Sequence, residues 1–369
     1  MVLKPVDSVK VDYFTYLFKS QGYIRALQST AEFIRDGQDL NFGNFSRVDL
    51  PLVPMDEQSA ISRFLDHADR LIKKYIRAKQ KLIKLLEEQK QAIIHRAVTR
   101  GLDPNVKLKP SGVAWLGDVP EGWEVKRLGN YITDIEQGWS PVAAEGDVSE
   151  EQWSVLTLSS IRRGIFNPLA AKPISKSAEV PKHLLVCDGD FLLTRSNTRE
   201  RVGDACVVEN ALPRTIMSDL IYRLRLDCRA LQPEFLLLQL LSSFGRTQIE
   251  KDARGASGTM PKISQGHVRS WRILVPPIDE QKVICDRVSR DLTYIERGIE
   301  LALSELSLLR EYRTRLIADV VTGKLDVREA VASLPDVLDE ADGAGEEEPA
   351  VDEADDGDVD GGDSVLDKE

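Results

Sequence analysis

Two stretches of the chain place apolar residues four and three apart for some forty residues. In the first, Ile61, Leu65, Ala68, Ile72, Tyr75, Leu82, Leu86 and Ile93 share a seven-residue repeat, with Lys79 and Gln89 in the remaining seam positions. In the second, Ile284, Val288, Leu292, Ile295, Ile299, Ala302, Leu306, Leu309, Leu316 and Val320 do the same, interrupted by Arg313. Such a stripe predicts a long helix that pairs along a coiled-coil seam. Each is introduced by nearly the same phrase, LVPMDEQ at 52–58 and VPPIDEQ at 275–281. The proline ends an extended segment, Asp56 or Asp279 is expected to cap free N–H groups, and the next Glu suits the positive end of the helix dipole. Gly101 and Gly323 mark the stops. From Asp56 to Thr99 a helix rising 1.5 Å per residue would run about 66 Å.

The two phrases lie 223 residues apart, and the same offset sets VTRGLD (98–103) opposite VTGKLD (321–326) without a gap. Upstream it sets Leu17, Ser20 and Gly22 opposite Leu240, Ser243 and Gly245, so the repeated unit begins before the phrase. A globular segment separates the two helices in sequence. The economical arrangement pairs them as an antiparallel coiled coil with globular parts at opposite ends; a generic oligomerising coil is the other reading of the periodicity.

Between the helices the period changes. Residues 106–122 are rich in Pro and Gly and read as a connector, with a new domain starting near Trp123. Segments 153–161, 183–196, 203–209 and 220–227 are apolar and β-branched between turn formers, which predicts strands. Segment 233–252 begins with Pro and keeps a spacing near 3.6, which predicts one helix. The expected class is α+β, a mixed domain with an irregular, mainly antiparallel sheet joined to two long helices.

Charge changes the picture only when divided along the chain. Residues 335–369 hold 16 acidic residues and one Lys, so taking this −15 from the whole-chain −11 leaves the first 334 residues at +4. A tail of this composition has little to bury and is expected to be disordered, either a solubilising segment or a DNA-mimicking, autoinhibitory arm. Cys187, Cys206, Cys228 and Cys285 lack the close spacing of a zinc site and suit a reducing compartment. No run of about 20 apolar residues or signal-like N-terminus is present, which points to the cytoplasm.

Two loops carry the chemistry of nucleic-acid contact. The first holds Arg195, Asn197, Thr198, Arg199 and Arg201 just after a predicted strand; the second runs from Arg254 through Ser257, Gly258 and Thr259 to Lys262. Arg grips guanine edges and Asn adenine edges bidentately, while Lys and backbone N–H groups hold phosphates. A third candidate turn contains Gly138, Trp139 and Ser140. Ordinary solvated surface is the competing reading for each. No phosphate-cradling, dinucleotide-binding or zinc-protease motif occurs, nor the Asn-Pro-Pro-aromatic signature of amino methylation, and His67, His95, His183 and His267 are scattered.

The doubled phrase and its doubled stop, the connector SGVAWLGDVPEGWEVKRLG (111–129), GDFLLTRSN (189–197) and KISQGHVRSWRILVPP (262–277) together resemble the specificity subunits of type I restriction-modification systems, across residues 1 to about 330. The resemblance implies two target-recognition domains that each read half of a split DNA site, held apart by an antiparallel helical pair that docks methyltransferase (M) and, through them, restriction (R) subunits. It implies no chemistry and no bound cofactor in this chain; the partners would use S-adenosylmethionine on a flipped adenine, and ATP with magnesium to translocate and cut.

On that reading, residues 1–52 are the remnant of a first recognition domain, 53–104 the first long helix, 105–122 the connector, 123–275 the second recognition domain, 276–330 the second long helix and 331–369 the tail. Subtracting 223 from Trp123 sets the start of the first domain about 100 residues before Met1. A misplaced start codon, a split gene, and a truncated subunit completed by a second chain are the three explanations. The opposing class of function is a coiled-coil adaptor that binds no DNA.

Overall fold

The structure, a computed structural model, describes residues 6–30, 33–34, 37–38, 42–113, 115–142, 146, 152–175, 180–253 and 260–335. The fold is α+β. In chain order it runs α1 (Val11–Lys19), α2 (Gln21–Ser29), β1 (Phe33–Ile34), β2 (Gly37–Gln38), α3 (Phe42–Phe45) and α4 (Met55–Arg100). A strand-rich segment follows: β3 (Leu108–Pro110), β4 (Asp118–Pro120), β5 (Glu124–Arg127), β6 (Ile132–Gln137), β7 (Ser154–Leu156), β8 (Ile161–Arg162), β9 (Ile165–Phe166), β10 (Ala171–Pro173), β11 (Phe191–Thr194), β12 (Ala205–Val207), β13 (Thr215–Ile216) and β14 (Ile221–Leu226). The rest is α5 (Pro233–Leu241), α6 (Ser243–Asp252), α7 (Gln265–Ser270), β15 (Arg272–Val275), α8 (Ile278–Val321) and α9 (Arg328–Ala332). The chain divides into two compact units, residues 1–72 with 311–369, and residues 73–310.

The repeated phrase is explained by its glutamine. Gln281 is fully buried; its Nε2 donates to the carbonyls of Ala230 and Pro276, both at 2.9 Å, and its Oε1 accepts from the Gln232 N–H at 2.9 Å. In the other unit Gln58 is equally buried, donating to Ser8 and Val53 carbonyls at 3.1 and 2.8 Å and accepting from the Lys10 N–H at 2.8 Å. One amide thus ties a helix start to the segment before it and to the loop ahead of an earlier helix. The aspartates do not occupy the expected cap. Each helix begins one residue earlier, at Met55 or Ile278, so Asp56 and Asp279 lie in the first turn and act there on the helix dipole. Gly101 and Gly323 stop the helices at φ +70 and +73, the left-handed region that suits glycine.

In the unit formed by residues 1–72 and 311–369, Ile61, Leu65 and Ile72 of α4 and Leu316, Val320 and Val321 of α8 are buried. Arg313, which interrupts the apolar stripe, donates to Asp69. In the unit formed by residues 73–310, Lys79 pairs with Glu305 and Lys90 with Glu296, so residue numbers rise along one helix as they fall along the other. The pairing is antiparallel there, and α8 keeps the expected frame, with Ile284, Val288, Ile295 and Leu306 buried and Ile299 and Leu309 half-buried. On α4, Leu86 and Ile93 also lie inward as expected. Tyr75 and Leu82 do not: both are exposed, and Ile76 and Ile83, one position later, are half-buried. The sequence offers an apolar neighbour at each place, Tyr-Ile and Leu-Ile, and the spacing alone cannot choose between the two frames.

The N-terminal helices show where a longer repeat slips. A single bend at Ser20, whose hydroxyl accepts from the Tyr23 N–H, separates α1 from α2. The expected single helix over 233–252 is broken in the same way at Ser242, which caps α6 through the Gly245 N–H. Both breaks, and the Lys10 and Gln232 donors, correspond at an offset of 222 rather than 223. The pairing of Leu17, Ser20 and Gly22 with Leu240, Ser243 and Gly245 is therefore one residue out of structural register. Gly245 follows from the break, since a Cβ there would lie 2.2 Å from the Gln239 carbonyl oxygen.

In the unit of residues 73–310, β12, β11, β14 and β6 form a four-stranded antiparallel sheet in that spatial order, and β10, β7 and β13 a three-stranded one. The strands are shorter than the predicted segments; residues 182–184 form a 3₁₀ turn, and the connector contains the hairpin β3–β4. Alternation along the strands gives the larger sheet two buried faces. Phe191, Leu193, Tyr222 and Leu224 join the core shared with α5, α6 and α8, while Leu192, Cys206 and Ile221 join a second core with Leu156, Ile161 and Met217. Trp123 closes the first core where the ends of both long helices come together. Its indole donates to Glu280 at 3.0 Å, and a Cβ on Gly101 would sit 3.3 Å from its ring.

Two outcomes follow. Gln281→Ala strands three backbone groups and should cost roughly 2–4 kcal/mol in denaturant unfolding, whereas a loss below about 0.5 kcal/mol, the size of an ordinary surface change, would refute the anchoring role. Ile83→Ala should destabilise by about 1–2 kcal/mol and Leu82→Ala by less than about 0.5 kcal/mol; the reverse order would restore the original frame.

Candidate nucleic-acid interface

Three loops meet at one end of the four-stranded sheet. There β6 and β11 finish and β14 begins, so the chain segments after Gln137 and Thr194 and before Ile221 lie side by side. The Gly138 N–H donates to the Ile221 carbonyl at 3.2 Å, the Trp139 N–H to Met217 at 3.0 Å, and the Arg195 N–H to Leu220 at 2.8 Å. The fourth partner arrives from the chain after α6: the Ile263 N–H donates to the Arg195 carbonyl at 2.7 Å, and Ser196 bridges Lys262. Gly138, Trp139, Ser140, Arg195 and Lys262, named from three separate stretches of sequence, are thereby brought together. Arg254, Ser257, Gly258 and Thr259 lie outside the described residues.

The individual side chains differ in what they can do. Gly138 is required by close approach, for a Cβ would stand 2.2 Å from the Ser218 carbonyl oxygen and 2.4 Å from that of Met217. Trp139 is half-buried against the second core and Ser140 is exposed. Thr198, Arg199, Arg201 and Lys262 are exposed. Asn197 is buried, and its Oδ1 accepts from the neighbouring Thr198 N–H at 2.8 Å, which fixes the turn. Arg195 is half-buried, its guanidinium 5.5 Å from the centre of the Tyr222 ring. Its Nε is buried without a hydrogen-bond partner, as are the hydroxyls of Ser196 and Ser218. Three of the four such atoms among the described residues thus come from this end of the sheet. An unpaired buried donor costs about 1–3 kcal/mol and is a feature of sites that await an external partner.

Two sets of residues that sequence reading missed support these loops. Arg246 of α6 donates to the carbonyls of Val202 and Glu200 at 3.0 and 3.1 Å and lies 3.7 Å from Asp204, clamping the loop that carries Arg199 and Arg201. Burial pushes the Asp204 carboxyl above its ordinary value, partly opposed by Arg246. Behind the sheet, Arg223 is almost wholly buried. It donates to Glu136 at 2.5 Å, to Asp190 at 3.0 Å and to the carbonyls of Leu185 and His183 at 2.7 Å. Arg225 joins the same two carboxylates at 3.0 Å. This network holds Glu136, two residues before Gly138, against β14, and ties β14 to Asp190, which immediately precedes the strand that leads to Arg195. The signal in the sequence was the pair of arginines alternating with apolar residues along 221–226, which needs buried acids to complete it.

The family model described as Type I restriction modification DNA specificity domain matches residues 120–304. The chain belongs to this family. The matched residues include β5 through β15 and the first part of α8. Among relatives, the chain is 27% identical over 197 residues to the Type I restriction enzyme EcoEI specificity subunit of Escherichia coli, covering 53% of this chain and 33% of that one. It is 26% identical over 336 residues to the Type I restriction enzyme EcoKI specificity subunit of Escherichia coli (strain K12), covering 88% and 68%. A solved structure concerned with complex assembly and conformational transition of the type I R-M system shares the fold, with a TM-score of 0.60 at 16% identity over 85% of this chain and 71% of that one. The chain therefore spans from a third to about two thirds of the length of the specificity subunits it matches. Among the described residues no helix is long and apolar enough to cross a membrane, and no cluster of candidate metal ligands occurs.

The buried network makes a pH prediction. The hydrogen bond from Arg223, opposed by burial, holds the Glu136 carboxyl below the ordinary glutamate range. Its contribution to stability is therefore full above the unfolded value of about 4.3 and is lost as the pH falls through the lower folded value. Glu136→Gln should lower stability at neutral pH and flatten the acid limb of a denaturant-midpoint against pH curve; parallel curves for the two proteins would exclude the linkage.

Proposed function

We propose that this chain is the DNA-recognition subunit of a type I restriction-modification complex, with residues 123–275 reading one half of a bipartite duplex site. The observation that carries this reading is Arg195, whose half-buried guanidinium has neither a hydrogen-bond nor an ion-pair partner among the described residues, at the meeting point of three polar loops. Arg199, Arg201 and Lys262 provide exposed positive charge beside it. Such a set suits a duplex, where flanking cations hold phosphates and a fixed guanidinium reads a base edge. Residues 1–52 are read as the remnant of a first recognition domain, because α1, α2 and the bend between them repeat α5, α6 and theirs.

The paired α4 and α8 serve as spacer and as docking surface. The support is a second apolar stripe outside the seam: Tyr75, Leu82 and Leu85 on α4 and Tyr294, Leu301 and Leu308 on α8 are exposed, the last three at seven-residue spacing. Helices of the methyltransferase subunits would cover it, with restriction subunits recruited through them; a second specificity chain is a further candidate partner for the N-terminal helices. The chain itself carries out no chemistry. S-adenosylmethionine, ATP and magnesium belong to the partners, and the complex works in the cytoplasm, where its DNA lies.

The adaptor reading makes no demand for DNA, so binding separates the two. The chain in its assembled complex should bind duplex with an affinity that falls steeply between 50 and 200 mM salt, a range over which phosphate contacts lose orders of magnitude. Arg195→Ala should relax preference at one base pair, at about 1–3 kcal/mol, while Lys262→Ala should weaken binding evenly across sequences. Salt-independent retention, or methylation maps unchanged by Arg195→Ala, would remove the assignment.

A further inference from the structure

We infer that Tyr222 is a positioning residue for DNA reading, a fixed aromatic platform that presents Arg195 as a two-pronged fork to one guanine of the half-site. The inference rests on the proposed role of Arg195 and adds the residue that makes that role specific. A solvent-exposed arginine searches many rotamers and loses that freedom on binding. Arg195 is restrained before any ligand arrives. Its backbone is held on both sides, by Leu220 at 2.8 Å and Ile263 at 2.7 Å, and its charge lies 5.5 Å from the Tyr222 ring centre, within the range of a cation–π attraction.

The platform itself is buried and strand-paired. Tyr222 is 3% exposed and sits in β14 with Leu193 of β11 directly opposite. Thr194 pairs with Ile221, so Arg195 extends the β11 face that carries Leu193, and the diagonal neighbour on that face is Tyr222. The ring thus covers one side of the guanidinium. The buried, unpartnered Nε occupies the inner edge, which leaves the two terminal nitrogens as the donors available to an incoming acceptor. Two parallel N–H donors in a plane match O6 and N7 of guanine in the major groove, and a lysine, a point charge without a fork, does not. A phosphate contact would ask less of the geometry: any cation at that place would serve.

The experiment selects bound duplexes from a randomised pool with the full chain assembled in its complex, and compares Arg195→Ala, Arg195→Lys, Tyr222→Leu and Tyr222→Phe. Leu224→Ala, a core change in the same strand and on the same face, controls for lost stability. Arg195→Ala, Arg195→Lys and Tyr222→Leu should each reduce discrimination at the same single guanine position by tenfold or more. Tyr222→Phe, which keeps the ring, should restore it, and Leu224→Ala should keep it. The inference is overturned if Tyr222→Leu behaves like Leu224→Ala, if the loss falls evenly on all sequences, or if Arg195→Lys retains the preference, which would assign the charge to a phosphate. In those cases selection by the unaltered chain still supports DNA recognition; absence of any selected sequence would instead remove the function proposed above.

Discussion

The pairing of α4 with α8 is the constraint on which the rest of the structure depends. Neither helix could persist alone with so many apolar residues along one side, and neither is terminated by the globular domain that separates them in sequence. Packing along the seam supplies most of the stability, because apolar burial outweighs exposed ion pairs, each of which is worth about 0–1 kcal/mol. The ion pairs have a different role. Lys79 with Glu305, Lys90 with Glu296 and Asp69 with Arg313 each match opposite charges only when the helices run in opposite directions. Hydrophobic attraction is indifferent to direction; charge placement is not.

The glutamine of each repeated phrase carries that constraint into the neighbouring chain. A glutamine amide offers two donors and an acceptor in a plane, and at Gln281 three backbone groups from two other segments use them. A helix start is thereby fixed to the loop before α5, and α5 packs with the sheet whose end bears Arg195. The chain from the seam to the candidate interface is continuous: seam, buried amide, helix, sheet core, loop. Each step is a packed or hydrogen-bonded contact within residues 73–310.

Much of this was legible in the sequence because it is written in short-range periodicity. The heptads of α8 and the proline and glycine that bound both helices follow from local pattern, the antiparallel pairing from the globular segment that separates the helices in sequence, and the motifs sufficed for the family. Errors arose where two local choices were equally apolar. Tyr75 against Ile76 and Leu82 against Ile83 differ only by which one the partner helix covers, and a bend at Ser20 or Ser242 leaves the helical spacing nearly intact on both sides. The candidate site was half legible. Arg and Asn in a loop after a strand suggested contact with nucleic acid, but Asn197 proved to hold its own turn, and the supports of the site were hidden. Arg223, Glu136 and Asp190 come from three places in the chain, Arg246 and the loop it clamps from two others, and only the folded sheet shows which of them share bonds.

The most direct test is intramolecular cross-linking of the helical pair. With the four native cysteines replaced, cysteines introduced together as Lys90→Cys and Glu296→Cys, positions whose native side chains form an ion pair, should be joined within one chain by a short bifunctional thiol-reactive cross-linker. Lys90→Cys with Arg313→Cys, the pair that a parallel alignment at the repeat offset would bring together, should stay unlinked. The opposite outcome, or links that form only between chains, would contradict the antiparallel pairing.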